Sequence, residues 1–160
     1  MASALDFQKC LEFTLTWECG RNMDGSLRDG YTNDPNDPGG ETKYGISKRH
    51  YPDLDIKNLT LPEAIVLYDT DYWREFKCDE LPMPLAAVAF DIYVNHSFTS
   101  AKMLLRDNAD WRTAISRRKA YRGERVRHHP PSQKFLAGWL ARDNDLSKFC
   151  TIWESAHAGS

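Results

Sequence analysis

Trp17-Glu18-Cys19-Gly20, followed by Tyr31-Thr32-Asn33-Asp34-Pro35-Asn36-Asp37-Pro38-Gly39-Gly40-Glu41-Thr42-Lys43-Tyr44-Gly45-Ile46, is the stretch around which the rest of the chain is arranged. It sets one carboxylate, Glu18, at the end of an apolar-faced segment and two more, Asp34 and Asp37, in a passage rich in Gly, Pro, Asn and Asp. Helices rarely carry such a density of turn residues. The passage therefore reads as a shaped loop or small irregular β-hairpin lying over a helix end, a place where side chains are displayed from a rigid scaffold.

Upstream, Phe7, Leu11, Thr14 and Leu15 fall at i, i+4, i+7 and i+8, one stripe of an amphipathic helix from about Ser3 to Trp17 with Ser3 as N-cap. Gly20 supplies the stop signal, which puts Glu18 in the last turn or just beyond it. Asp24-Gly25, Asp29-Gly30 and Gly39-Gly40 then mark successive turns. Downstream, Thr60 and Glu63 form a capping box at the start of a helix that should run to about Glu75 and bury Leu61, Ile65, Tyr68 and Tyr72. After Pro82 and Pro84, the run from Leu85 to Val94 is apolar on nearly every side, the pattern of a core helix surrounded by others. A short helix from about Ser100 to Arg106 and a longer basic one from Asp110 to Arg127 follow, the latter ended by Pro130-Pro131. Two further apolar faces, Phe135 to Leu140 and Leu146 to Trp153, precede a frayed tail from Ser155 to Ser160.

These elements make a mainly α chain, and 160 residues with 41% hydrophobic composition suffice for one domain with a sizeable core. The formal net charge of −2 gives no global field, so nucleic acid is not an expected partner. The basic run from Arg112 to Arg127 reads chiefly as a solvated helix face, with attraction to anionic wall or outer-membrane polymers as its functional alternative. The N-terminus lacks the features of a secretory signal, and no stretch approaches the ~18 apolar residues of a membrane span. The expectation is a monomer made in the cytoplasm. The four cysteines show no C-x-x-C pair and read as buried free thiols. His96, His128 and His129 form no metal-ligand spacing, and neither metal nor cofactor is expected. Trp73, Trp139 and Trp153 each lie on an apolar stripe and read as core.

Glu18, between Trp17 and Cys19, sits in apolar company, where desolvation favours a protonated, proton-donating carboxyl. Asp34 and Asp37, in a polar turn, would stay ionised. Cleavage of a glycosidic bond needs one carboxyl to protonate the leaving oxygen and usually a second carboxylate to position water or attack the sugar carbon. Yet Asn33-Asp34-Pro35 and Asp37-Pro38-Gly39 are also ordinary Asx-turns, and taken alone these residues favour a scaffold role.

The ordered motifs add a resemblance. Glu18-Cys19-Gly20, then Tyr31-x-Asn33-Asp34-Pro35-x-Asp37-Pro38-Gly39-Gly40-x-Thr42-x-Tyr44-Gly45-Ile46, resembles glycoside hydrolase family 108, the phage and prophage N-acetylmuramidases, in which a Glu-Gly-Gly segment precedes Asn-Asp-Pro-x-Asp-Pro-Gly-Gly-x-Thr-x-x-Gly-Ile. Asp69-x-x-Tyr72-Trp73, Leu81-Pro82, Phe90-Asp91, Val94-Asn95 and Gln133-x-Phe135-x-x-Gly138-Trp139-Leu140-x-Arg142 continue the likeness in order.

The resemblance implies a lysozyme-like domain spanning 1–160, with a catalytic part to about residue 80 and a shortened helical part from about 81 to 155 resembling the family's peptidoglycan-binding region. It implies an endolysin-type enzyme acting on peptidoglycan glycan strands once released or delivered from the host cytoplasm, or carried on a virion. Glu18 takes the place of the catalytic acid, Thr42 would lie near the anomeric carbon, and either Asp37 or Asp34 would be the second carboxylate. Tyr31, Asn33, Tyr44 and Asn95 are the implied substrate-binding residues. A lytic transglycosylase and a degenerate wall-binding or virion protein are the alternatives. The chain departs from the family pattern at Cys19, in the insertion from Arg21 to Gly30, and in lacking an Asp-Gly-x-x-Gly run between Met103 and Asp110.

Overall fold

A computed structural model describes residues 1–159. Its first helix, α1 (Ala4–Cys19), begins where the sequence places it: the Ser3 hydroxyl accepts from the Asp6 amide while the Asp6 carboxylate accepts from the Ser3 amide. It ends at Gly20, which takes φ 73° and donates its amide to the Thr16 carbonyl. Because the positive φ falls on Gly20, Cys19 stays helical, and no glycine is needed there.

The insertion closes on itself. Arg21 pairs with Leu27, and the Arg28 amide donates to the Gly20 carbonyl at 3.0 Å, so the chain leaves and returns at the same point. Gly30 then packs against Cys19, where a Cβ would stand 3.4 Å from its Cα. The expected hairpin follows as β1 (Thr42–Lys43) and β2 (Ile46–Ser47), antiparallel with Lys43 opposite Ile46, and Thr32 pairs alongside with Thr42. The connecting residues Tyr44 (φ 51°) and Gly45 (φ 74°) are both left-handed, as a two-residue turn matching the strand twist requires.

Helix α2 (Leu61–Tyr68) carries the predicted Thr60/Glu63 capping box and continues as a π-helical segment, Asp69–Arg74, that turns Trp73 into the core. The central helix α3 (Leu85–Asn95) is buried as expected, with Val88, Ala89, Phe90, Asp91 and Ile92 all at 0% exposure. Around it lie α4 (Phe98–Leu104), α5 (Trp111–His128, capped by Asp110) and α6 (Gln133–Ala156). One side of α3 packs with α1, α2 and the π-helical segment around Phe7, Tyr68, Trp73 and Phe90; the other packs with α4, α5 and α6 around Ile92, Leu104, Ile115 and Leu146.

Several expectations change. The two late apolar faces belong to one 24-residue helix, α6, which runs into the expected tail as far as Ala156; Ser160 lies outside the described residues. Trp73 is core, but Trp139 and Trp153 are only half-buried, because α6 turns both toward the surface. The basic helix is not simply a solvated face. Arg118 and Arg122 lie at 0% and 3% exposure, because α5 packs that side against α3 and α6. All four cysteines are free and buried, as expected.

Candidate active site

Glu18 occupies the last turn of α1, directly behind the Tyr44-Gly45 turn. A Cβ at Gly45 would collide with the Tyr68 hydroxyl and stand 3.4 Å from the Glu18 Cβ. That hydroxyl, on a fully buried ring, donates to the Tyr44 carbonyl at 2.8 Å, and the Tyr44 amide donates to the Asp29 carbonyl. The turn is thus pinned from both sides against the acid. Glycine at 45 serves two needs, a left-handed φ and the absence of a side chain.

On its other side Glu18 meets a buried ion network. Arg142 Nη1 donates to Glu18 Oε1 at 2.8 Å, while its Nη2 and Nε donate to the two oxygens of Asp91 at 2.7 and 3.1 Å. Asp91 also accepts from Thr14 Oγ1 (2.9 Å) and Arg118 Nη1 (2.8 Å). Arg118 and Arg122 both pair with Asp143, and Arg122 Nη2 donates to Asn95 Oδ1 at 3.1 Å. Three guanidiniums face three carboxylates, so the network is charge-balanced, as buried ions must be. Burial alone would favour the neutral acid at Asp91, but Arg142 and Arg118 outweigh it and hold that carboxyl well below the ordinary range. Burial likewise disfavours the charged form of Arg142, and Asp91 and Glu18 more than restore it.

The result is a carboxylate with one oxygen held and one unengaged. Glu18 Oε2 has no hydrogen-bond partner among the described residues, and the side chain keeps 23% of its surface exposed. The apolar company expected from Trp17 and Cys19 is only part of its surroundings. Burial, with the Glu18 and Asp29 charges, pushes the Cys19 thiol up to about 11, which makes it a poor nucleophile.

In front of Gly45 opens a cleft of about 750 Å3 between the hairpin side (Ser47, His50, Tyr51) and the helical side (Asp71, Phe76, Asn95). Its helical wall is aromatic. Phe76 stacks on Tyr93 with centroids 4.2 Å apart and on Phe98 at 5.5 Å, and Phe98 is 54% exposed. Flat exposed rings of this kind suit the apolar faces of sugar rings. Tyr51 donates to Asp71 at 2.9 Å across the same cleft.

The other residues singled out from the sequence fall in three places. Asn95 lines the cleft. Thr42 and Tyr44 lie in the hairpin, half-buried; Tyr44 precedes the Gly45 that meets Glu18, and the Thr42 hydroxyl donates to the Gly40 carbonyl. Tyr31, Asn33, Asp34 and Asp37 are exposed in the loop that leads into β1. There Tyr31 donates to Glu41, Asp34 Oδ1 accepts from the Asn36 amide, and Asp37 Oδ1 accepts from the Gly39 amide, the Asx-turn bonds that the sequence suggested. Neither aspartate lines the cleft, and neither do Thr42, Tyr44 or Glu18, which stands behind its Gly45 wall.

Sequence reasoning gave no role to Arg142, Asp91, Arg118, Asp143, Asp29, Asp71 or the Phe76-Tyr93-Phe98 wall. The Phe90-Asp91 and Trp139-Leu140-x-Arg142 motifs were the available signals for two of them. No group of metal-ligating side chains occurs among the described residues.

Comparison with known proteins places this arrangement. The solved structure of Brucella abortus SagA superposes with a TM-score of 0.69 over 94% of this chain and 96% of that one, at 19% identity, and the shared fold is lysozyme-like. The family model for glycosyl hydrolase 108 matches residues 11–97, more than half of the chain, and the chain belongs to that family. It is accordingly a glycoside hydrolase by family, and membership implies a lysozyme-like function in hydrolysing peptidoglycan. Among curated proteins none matches.

Proposed function

We propose that the chain is a muramidase that hydrolyses the β-1,4 bond between N-acetylmuramic acid and N-acetylglucosamine in bacterial peptidoglycan, with Glu18 as general acid. The observation that carries this reading is the position of Glu18. Arg142 holds one oxygen at 2.8 Å, and the other is unengaged behind the Gly45 wall of a cleft with an aromatic side. A glycan strand lying against Phe76 and Phe98 would bring a glycosidic oxygen past Gly45, where the unengaged carboxyl oxygen delivers the proton. The hairpin supplies Thr42 near the reacting carbon and Asp34 or Asp37 as the second carboxylate, with Tyr31, Asn33, Tyr44 and Asn95 along the strand. An endolysin-type role in a phage life cycle, in the host cytoplasm before release or on a virion, belongs to the same reading. So does the use of the chain as one unit, since the Glu18–Arg142 contact ties its beginning to its end.

A second reading has one specific observation behind it. Asp34 and Asp37 are both engaged in turn hydrogen bonds, which suits a lytic transglycosylase working with a single carboxyl. Mass spectrometry of muropeptides released from purified sacculi separates the two. Hydrolysis leaves reducing ends carrying the added water, whereas the transglycosylase leaves anhydro ends lighter by one water. Absence of both products, with sacculi still bound, would indicate a wall-binding protein instead.

A further inference from the structure

A smaller cavity of about 150 Å3 adjoins the cleft, and Asn95 and His96 line both. Its remaining walls are Tyr121, Arg122 and Arg125 from α5 and Trp139 from α6, so two guanidiniums and, among the described residues, no carboxylate line it. Arg122 is neutralised from behind by Asp143. Arg125 is not: it is exposed and makes no ion pair among the described residues, its guanidinium lying 5.7 Å from the Trp139 ring centroid. Arg122 lies over the same ring at 5.7 Å. Trp139 is thus held half-exposed by two cations, although its sequence context suggested core.

The His96 Nε2 is buried and has no hydrogen-bond partner among the described residues. Burial, helped by Arg118 and Arg122, pushes its pKa down to about 3, so the ring is neutral and adds no further charge to the wall. An unpaired guanidinium beside a second, neutralised one in a cavity of this size is the complement of a carboxylate. The shared wall at Asn95 and His96 makes that carboxylate one carried by a substituent of a sugar already in the cleft.

We propose that the pocket formed by Asn95, His96, Tyr121, Arg122, Arg125 and Trp139 is an anion subsite that receives a free carboxylate of the peptide stem on muramic acid, so that the enzyme prefers peptide-bearing glycan strands to bare ones. This rests on the muramidase reading above. A charge-assisted contact made by only one of two substrates biases their kcat/KM ratio by about tenfold.

Two measurements test it on the full chain. The first compares kcat/KM on peptide-bearing strands with that on the same strands after their stem carboxylates have been amidated. Arg125→Gln is expected to lower that ratio about tenfold, with Arg125→Lys retaining part of it; an unchanged ratio in Arg125→Gln would overturn the proposal. The second needs no catalysis. A synthetic stem tripeptide with free carboxylates is titrated while the Trp139 indole N–H is followed by NMR, the resonance being assigned with Trp139→Phe. A shift seen with the acid, absent with the amidated peptide and lost in Arg125→Gln supports the subsite. No shift, or an equal shift with inorganic phosphate at matched ionic strength, contradicts it. A chain that cleaves neither glycan would defeat the muramidase reading while leaving the titration to decide the subsite.

Discussion

Arg142 reaches from α6 to Glu18, 124 residues earlier in the chain, and donates to it at 2.8 Å while gripping both oxygens of Asp91 with its other nitrogens. One buried guanidinium therefore holds the proposed acid and ties together α1, α3 and α6. Removing it should affect stability and activity together. Arg142→Ala leaves Asp91 buried with Arg118 as its remaining guanidinium, and breaking a buried pair in this way costs about 3–5 kcal/mol. Chemical denaturation should show that loss. Arg142→Lys, which keeps the charge but not the fork of donors, should recover part of the stability and less of the activity, because a lysine cannot hold Glu18 and both Asp91 oxygens at once.

The Gly45 turn gives a second expectation. Gly45→Ala must place a methyl group into the Tyr68 hydroxyl and against Glu18 with φ at 74°, and a loss of about 1–3 kcal/mol is expected from strain of this kind. Tyr68→Phe alone loses the hydrogen bond to the Tyr44 carbonyl, worth about 1 kcal/mol. Combined, the two changes should cost less than their sum, since removing the hydroxyl makes room for the methyl. A double-mutant cycle read by denaturant midpoints measures that coupling, and strict additivity would show that the collision does not set the turn.

His96 and Asp91 both lose stability toward acid, in successive pH windows. His96 has a folded pKa near 3, well below the ordinary histidine value of ~6.5, because burial and then Arg118 and Arg122 disfavour its cation. Between about pH 6.5 and pH 3 the unfolded chain therefore takes up a proton that the folded one refuses. Stability should fall with pH in that window at up to about 1.4 kcal/mol per unit. For Asp91, burial opposes the lowering but Arg142 and Arg118 prevail. Its contribution is present above the unfolded carboxyl value of ~3.9 and fades only in stronger acid. His96→Gln should flatten the stability profile between pH 6.5 and 4, while a profile that kept its slope would assign the dependence to other groups.

Asp34→Asn and Asp37→Asn separate the candidates for the second carboxylate. Each amide oxygen can still accept the turn hydrogen bond now made to Asn36 or Gly39, so the hairpin should survive and a loss of rate would report the charge alone. One replacement is expected to lower kcat by about 100-fold or more and the other to stay near the parent rate. Two active variants would favour the single-carboxyl transglycosylase.

The helix ends were legible because they depend on neighbours in sequence. Ser3 with Asp6, Thr60 with Glu63, and Gly20 each satisfy or end a local hydrogen-bond pattern, and the apolar run of α3 announces its own burial. The continuity of α6 was less legible, since Arg142, Asp143 and Asn144 interrupt its apolar stripe and read as a break. Arg118, Arg122 and Arg142 look in sequence like any solvated arginines. Their burial is created by carboxylates 21 to 124 residues away, a long-range pairing that no local pattern encodes. At the site, Glu18 and the hairpin were visible through their motifs. The aromatic wall was not, because Phe76, Tyr93 and Phe98 come from three different segments and meet only in the fold.

Glu18 is the proposed proton donor. Glu18→Gln preserves the shape of the side chain and an oxygen to accept from Arg142, so circular dichroism and the thermal midpoint will confirm whether the fold is kept. The decisive measurement is the clearing of a purified cell-wall suspension by that folded variant beside the parent protein. Clearing by the parent and none by Glu18→Gln is the predicted result; undiminished clearing by Glu18→Gln would contradict the account.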